Sequence, residues 1–146
     1  MFKKVLIPVD VSVPKDTQDL LKSAAELTKT WACELHVVTV IPNVGMPIVG
    51  GYFDEGFEAS NLKAATEELA SAVESSGVEA TQHILTGRIY DSVIHLAKSE
   101  QIDLIVLGAH QPDLKDYLLG SNAARIVRHA DQSVMVLRDG NMGSAG

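Results

Sequence analysis

The sequence has a single cysteine, no apolar run of membrane-spanning length, and fewer basic than acidic residues. Cys33 cannot form a disulfide within the chain, and its place just before an apolar strand favours a buried structural thiol over a reactive one. No apolar stretch approaches the about 20 residues that a membrane helix needs. The first residues lead through Lys3 and Lys4 into a strand, without an apolar leader. We therefore expect a cytoplasmic protein that does not cross a membrane.

The charge balance argues against two classes of partner. The 12 Lys and Arg residues stand against 19 Asp and Glu, which gives a formal net charge of −7. Nucleic acids and anionic membranes are bound by clustered Lys and Arg, so we expect neither. The 146 residues, 46% of them hydrophobic, are enough for one packed core. No repeat or linker divides them, which predicts one domain over residues 1–138 and a frayed tail over 139–146.

Apolar strands alternate with amphipathic helices along the chain. The apolar stretches at residues 5–9, 34–41, 81–85, 104–107 and 134–137 predict five strands, and helical spacing of apolar residues predicts a helix in each interval. This alternation is typical of an α/β fold with a parallel sheet and helices on both faces. With the strand order 3-2-1-4-5, the order reverses between strands one and four. Ligands of such sheets bind there, where Asp10 would face Gly108.

A glycine-rich segment follows the second strand. Gly45, Gly50, Gly51 and Gly56 lie close together in it, and glycine at this density disfavours regular structure. We expect an irregular surface loop, with a mobile flap over the sheet edge as the alternative.

Two glycines mark the junction of the fourth strand with the last helix. Gly108 ends the strand, where a missing Cβ lets the backbone approach a ligand. Gly120, Ser121 and Asn122 begin a helix whose first N–H groups have no partner within the helix and favour an anion. The spacing is neither that of a P-loop, since no Gly-Lys pair occurs, nor G-x-G-x-x-G. A phosphate cradle and an ordinary loop capped by Ser121 are both compatible with these residues.

The chain resembles the universal stress protein family over almost its whole length. The resemblance is carried by KVLIPVD at residues 4–10, by Gly108, Gly120 and Ser121, and by VMVL at residues 134–137. In that family the strand ends in Gly-x-x-Gly, and Gly-Ser or Gly-Thr begins the last helix. Here Gln111 replaces the second glycine. The resemblance implies an adenine-nucleotide-alpha-hydrolase-like fold that binds ATP or another adenine nucleotide, with Mg²⁺ held mainly by the phosphate oxygens.

The resemblance also implies ten binding residues, by position. Those near the adenine and ribose are Pro8, Val9, Asp10 and Val40, and those near the phosphates are Gly108, His110, Gln111, Gly120, Ser121 and Asn122. Some of these residues have a plainer alternative role. Asp10 suits a loop position that caps backbone N–H groups, Val40 suits the core, and His110 either contacts a phosphate or caps its loop.

The family resemblance implies a regulatory module of the stress response that forms homodimers through the last strand. Its protein partner is unknown. Two alternatives remain: slow ATP hydrolysis or nucleotidyl chemistry, and a nucleotide-free interaction protein in which Gln111 has closed the phosphate site. We identify no general base and no Ser-His-Asp arrangement, so we expect regulation rather than catalysis. A response-regulator receiver shares the sheet order but needs an aspartate after the third strand, where this chain has Leu85, Thr86 and Gly87.

The histidines are spread over separate predicted elements. His36, His83, His95 and His129 include no two at a metal-ligand spacing such as His-x-x-x-His. We therefore expect no structural metal.

Overall fold

The computed structural model describes residues 1–42, 48–49, 52–53, 55–109 and 121–138. Its strands are β1 (Lys4–Pro8), β2 (Glu34–Ile41), β3 (Ile48–Val49), β4 (Tyr52–Phe53), β5 (Thr81–Thr86), β6 (Leu104–Ala109) and β7 (Ser133–Arg138). Its helices are α1 (Pro14–Thr28), α2 (Glu55–Ser76), α3 (Ile89–Ser99) and α4 (Ser121–His129), with a 3₁₀ turn (Lys29–Trp31) after α1. Within these ranges, no helix combines the length and apolar character that crossing a membrane requires.

Five of the strands form one parallel sheet in the order β5-β2-β1-β6-β7. In chain order these five strands give 3-2-1-4-5, so the predicted topology is confirmed. β1 lies at the centre and pairs with β2 from Lys4↔Glu34 to Pro8↔Val38. On its other side it pairs with β6 at Val5↔Leu104 and Leu6↔Ile105. The strand order reverses between β1 and β6.

Each face of the sheet carries its own core, because successive strand residues point to opposite faces. On one face, Val5 and Ile7 of β1 pack with Leu21 of α1 and Leu69 of α2. On the other, Leu6 packs in the cluster formed with residues of α3 and α4. All three β1 side chains have no solvent exposure, as expected for a strand covered on both faces.

The glycine-rich segment is more regular than predicted. β3 and β4 pair antiparallel, with Ile48↔Phe53 and Val49↔Tyr52, and α2 begins at Glu55, so that Gly56 is helical. The prediction of an irregular loop is wrong at these positions, because β-branched and aromatic residues favour strand pairing. Gly45, Gly50 and Gly51 lie outside the described residues, as does the predicted frayed tail, 139–146.

Cys33, predicted to be a buried thiol, is only half-buried. Its Sγ lies 3.6 Å from the carbonyl oxygen of Thr28. The thiol therefore has a local partner at the end of α1.

α3 ends in a Schellman motif that has no glycine. The N–H of Gln101 donates to the Lys98 carbonyl at 3.2 Å, and the N–H of Ile102 donates to the Ala97 carbonyl at 2.8 Å. These bonds define the motif, and they require the left-handed φ of 57° at Gln101. That conformation costs an L-residue roughly 1–2 kcal/mol. The turn fixes the position of Glu100, the C-cap residue of α3.

We predict that Gln101→Gly raises the free energy of unfolding by about 0.5–1 kcal/mol, because glycine removes the left-handed strain but adds freedom to the unfolded chain. Gly77→Ala is the converse variant. Gly77 has φ +72° and open space where a Cβ would stand, so only backbone strain is added, and a loss of about 1 kcal/mol is expected. Urea unfolding measures both. A loss of stability in Gln101→Gly would contradict the strain argument.

Candidate functional site

The carboxyl ends of β1 and β6 lie side by side at the reversal of strand order, where sheets of this kind have their ligand crevice. The β1–β6 register, continued past Leu6↔Ile105, places Val9 level with Gly108. The Val9 N–H also donates to the Val38 carbonyl at 2.8 Å, which continues the pairing with β2 past Pro8. β6 runs one residue beyond its predicted end, to Ala109. Asp10 and Gly108 thus come from the two strand ends that border this crevice.

Asp10 organises the loop between β1 and α1. Its Oδ1 accepts hydrogen bonds from the Ser12 N–H at 2.9 Å and from the Ser12 hydroxyl at 2.6 Å. Its carbonyl oxygen accepts from the Thr17 hydroxyl at 2.7 Å and from the Val13 N–H at 3.1 Å. The structure therefore gives Asp10 the capping role that the sequence left as an alternative. Asp10 is half-buried, and within the described part of the chain its Oδ2 has no hydrogen-bond partner, which leaves one carboxylate oxygen available to a ligand.

Thr17 connects this loop to the body of the domain. It is 3% exposed, and its hydroxyl is bonded to the Asp10 carbonyl from the first turns of α1. A buried hydroxyl without a partner is costly, so this bond holds the loop and α1 in one arrangement. The position of Asp10 is consequently set by α1 as well as by β1.

Three of the residues predicted to lie near the adenine are buried. Pro8 is buried, Val9 is 1% exposed and Val40 is 3% exposed. Val9 belongs to the core beneath α1 and α2, and Val40 to the core beneath α3 and α4. These core residues lie toward the carboxyl ends of β1 and β2 and leave little side-chain surface for a ligand. For Val40 this is the core role that the sequence left open.

Gly108 has a packing reason for its missing side chain. A Cβ built at this position would lie 3.1 Å from Cδ2 of Leu20, closer than an ordinary van der Waals contact. The glycine therefore lets β6 lie close against α1. Sequence reasoning assigned Gly108 to ligand approach alone and missed this contact, because nothing in the spacing identifies Leu20 as its neighbour.

α4 supplies the described part of the predicted phosphate-binding region. It begins at Ser121, which is exposed, followed by Asn122, which is half-buried. The first N–H groups of a helix have no partner within the helix, and the helix dipole favours an anion beside them. His110, Gln111 and Gly120 lie outside the described residues. The structure thus describes this region of the predicted site only from Ser121 onwards.

Near the amino-terminal ends of β2 and β5, the structure brings two histidines together. His36 Nδ1 of β2 lies 2.9 Å from His83 Nε2 of β5, and the two rings are stacked with their centroids 5.2 Å apart. Sequence reasoning missed this pair because it considered spacing along one element, whereas pairing between neighbouring strands sets the distance. The available signal was a histidine near the start of each of two predicted strands.

Comparison with known proteins gives the same fold. The sequence model of the universal stress protein family matches residues 1–138. Universal stress protein A homolog 1 of Coxiella burnetii is 34% identical over 145 residues, which cover 93% of this chain and 96% of that protein.

Two solved structures extend the comparison. Protein MJ0577 of Methanocaldococcus jannaschii has a TM-score of 0.74 at 24% identity, and the match covers 94% of this chain and 96% of that chain. A universal stress protein from Archaeoglobus fulgidus, solved in complex with dAMP, has a TM-score of 0.60 at 20% identity, with 92% of this chain and 96% of that chain covered. Because the family model spans nearly all of the sequence and a family member is 34% identical to it, this chain belongs to the universal stress protein family.

Proposed function

We propose that this protein binds ATP with Mg²⁺ in the crevice between β1 and β6, and acts as a cytoplasmic regulatory module of the stress response rather than as an enzyme. The observation that carries the proposal is the reversal of strand order between β1 and β6, where parallel α/β sheets bind their ligands. The dAMP complex of the Archaeoglobus fulgidus relative supports an adenine nucleotide as the ligand class.

In this proposal the nucleoside lies over the β1 end of the crevice. Oδ2 of Asp10 accepts a hydrogen bond from a ribose hydroxyl or from adenine N6, while Oδ1 keeps its bonds to Ser12. Pro8, Val9 and Val40 support this half from below, since all three are buried. Ligand contact there is made by the loop backbone and by Asp10.

The phosphates lie toward α4. The N–H groups of its first turn, with Ser121 and Asn122, form the described part of the proposed phosphate contacts. The family resemblance adds Gly108, His110, Gln111 and Gly120. A chain with a net charge of −7 repels a free triphosphate, and Mg²⁺ neutralises part of the ligand charge. This favours the magnesium complex as the bound species.

A binding role fits the crevice better than turnover does. Oδ1 of Asp10 already accepts two hydrogen bonds, which hold the carboxylate in place as an acceptor for a ligand. The paired histidines His36 and His83 lie near the amino-terminal ends of β2 and β5. They are therefore away from this crevice and are not placed to act there as a base. Regulation through the loaded state is therefore the function we infer.

We further infer that the protein forms a homodimer through β7. β7 is an edge strand of the main sheet, and Val136 on it is 42% exposed. An edge strand presents N–H and C=O groups without partners in the sheet. Pairing two copies about a two-fold axis would satisfy these groups and cover Val136.

We predict that Asp10→Ala weakens ATP binding at least about tenfold, because it removes a ligand acceptor and the bonds that hold the loop. Asp10→Asn keeps an oxygen acceptor for Ser12 and should lose less. Asp91→Ala, an exposed aspartate on α3, is the matched control and should bind like the wild type. Calorimetric titration with MgATP measures all four proteins, after chromatography has shown which nucleotide is carried through purification.

Two results would reject the proposal in different ways. A wild-type protein that ignores ATP, but binds it after Gln111→Gly, would show that Gln111 has closed the phosphate site. Steady release of ADP by the wild type, lost in Asp10→Ala, would show an ATPase.

We predict that Gly108→Ala and Leu20→Ala are coupled by about 0.5–1 kcal/mol in stability, because the added Cβ meets Leu20 at 3.1 Å. Gly108→Ala should be better tolerated in the Leu20→Ala background than in the wild type. Urea unfolding of the four proteins gives the coupling energy. Strict additivity would show that Leu20 does not restrict position 108.

We predict that Val136→Asp converts the protein to monomer, because it places a charge in the proposed two-fold strand pairing. Leu62→Asp is the control, since Leu62 on α2 has the same 42% exposure and lies away from β7. Sedimentation equilibrium reports the mass of each variant. A wild type that is monomeric at micromolar concentration would exclude this interface.

A further inference from the structure

The histidine pair lies at the amino edge of the sheet, on the face covered by α3. The β2–β5 register pairs His36 with Thr81 and Val38 with His83, so the two rings meet diagonally across adjacent strands. Val38 packs in the core beneath α3 and α4, and His36, two residues earlier, points to the same face. His36 is 2% exposed. A polar ring this deeply buried needs partners for both of its nitrogens.

One nitrogen of His36 is already committed. Its Nε2 lies 2.5 Å from Oε2 of Glu34. Glu34 accepts the proton of His36 Nε2 in this hydrogen bond, which holds the pKa of the Glu34 carboxyl below its usual value. The interaction fixes the ring so that Nδ1 faces His83.

The short distance between the two rings requires either a hydrogen or a metal ion between their facing nitrogens. Nδ1 of His36 and Nε2 of His83 are 2.9 Å apart, which is too close for two opposed lone pairs. Either a proton bridges the two nitrogens or a metal ion takes its place.

Glu100 distinguishes these two occupants. One carboxylate oxygen of Glu100 and one ring nitrogen of each histidine all lie within 4.8 Å of one another. A shared proton uses only two groups, whereas a third, anionic donor completes the ligand set of a metal. Glu100 is held in this place by the turn at Gln101 that ends α3.

The surrounding charges also favour a cation. Glu34 and Glu100 face the pair, and the basic group beside them is Lys4, whose ammonium donates to the Glu100 backbone carbonyl at 3.3 Å. These two carboxylates outnumber the ammonium of Lys4 beside the rings, so a divalent ion would relieve an excess of negative charge.

We propose that His36, His83 and Glu100 form a zinc-binding site, with Nδ1 of His36, Nε2 of His83 and a carboxylate oxygen of Glu100 as ligands and water in the fourth position. Two histidines and a carboxylate suit Zn²⁺. Ring nitrogens bound tetrahedrally at about 2.0–2.1 Å stand about 3.3 Å apart, so the rings need to separate by only a few tenths of an ångström. Glu34 serves as the carboxylate that orients a ligating histidine.

The site would connect three parts of the fold that meet at the amino edge. β5 is an edge strand, and a shared ion would fasten it to β2 and to the end of α3. The site lies at the opposite end of the strands from the nucleotide crevice, so it does not depend on the proposed function. Its test can therefore succeed or fail independently of ATP binding.

The test uses tag-free protein stripped of metal with a chelator. Zn²⁺ titration by calorimetry gives the stoichiometry, and Co²⁺ gives visible absorption bands that report its coordination. The wild type should bind one ion per chain, and zinc should raise its thermal midpoint. His83→Gln should abolish both effects, because it removes one ligand. His83 is only half-buried, so the variant should keep its fold. Glu34→Gln should weaken zinc binding about 10–100-fold, as expected for a group that orients a ligand.

His95→Gln is the matched control, since His95 is an exposed histidine on α3, and it should bind zinc like the wild type. Circular dichroism of each metal-free variant establishes that it is folded. Saturable binding that persists unchanged in His83→Gln would place the ion elsewhere and overturn the proposal. An absence of saturable zinc or cobalt binding in the wild type would mean that the pair shares a proton, and would overturn it equally.

Discussion

The structure depends on a central strand that is enclosed on every side. β1 is hydrogen-bonded to β2 on one edge and to β6 on the other, and its side chains are buried beneath helices on both faces. Past Lys4, at its start, a strand so placed is apolar along its buried length, which is why Val5, Leu6 and Ile7 follow one another. The first polar side chain after it, Asp10, occurs where the strand leaves the core. The candidate site therefore begins where burial ends.

The parts of the fold that follow from periodicity could be predicted from the sequence. β2 spans the predicted residues 34–41, and the sheet order agrees, because long apolar stretches alternating with helices leave few topologies available. The short β3–β4 pair could not be predicted in this way. A two-residue strand has no measurable period, and its neighbouring glycines carry the opposite signal.

The neighbouring strand ends of the candidate site could be predicted, but their contacts could not. Residues at the ends of β1 and β6 lie side by side because the strand order brings them together, and that order is visible in the pattern. The contact of Gly108 with Leu20 and the pairing of His36 with His83 depend on the separation and register of packed elements. Such distances are set by tertiary structure, so sequence spacing alone assigns Gly108 to a ligand and treats the histidines as unrelated.

The Leu20–Gly108 contact has a mechanical consequence. Leu20 belongs to α1, which also holds the Asp10 carbonyl through Thr17, while Gly108 belongs to the facing wall. Both walls of the crevice are therefore braced against the same helix. Sliding β1 away from β6 therefore requires α1 to be repacked. A substitution that shifts α1 would move the two strand ends together rather than one past the other.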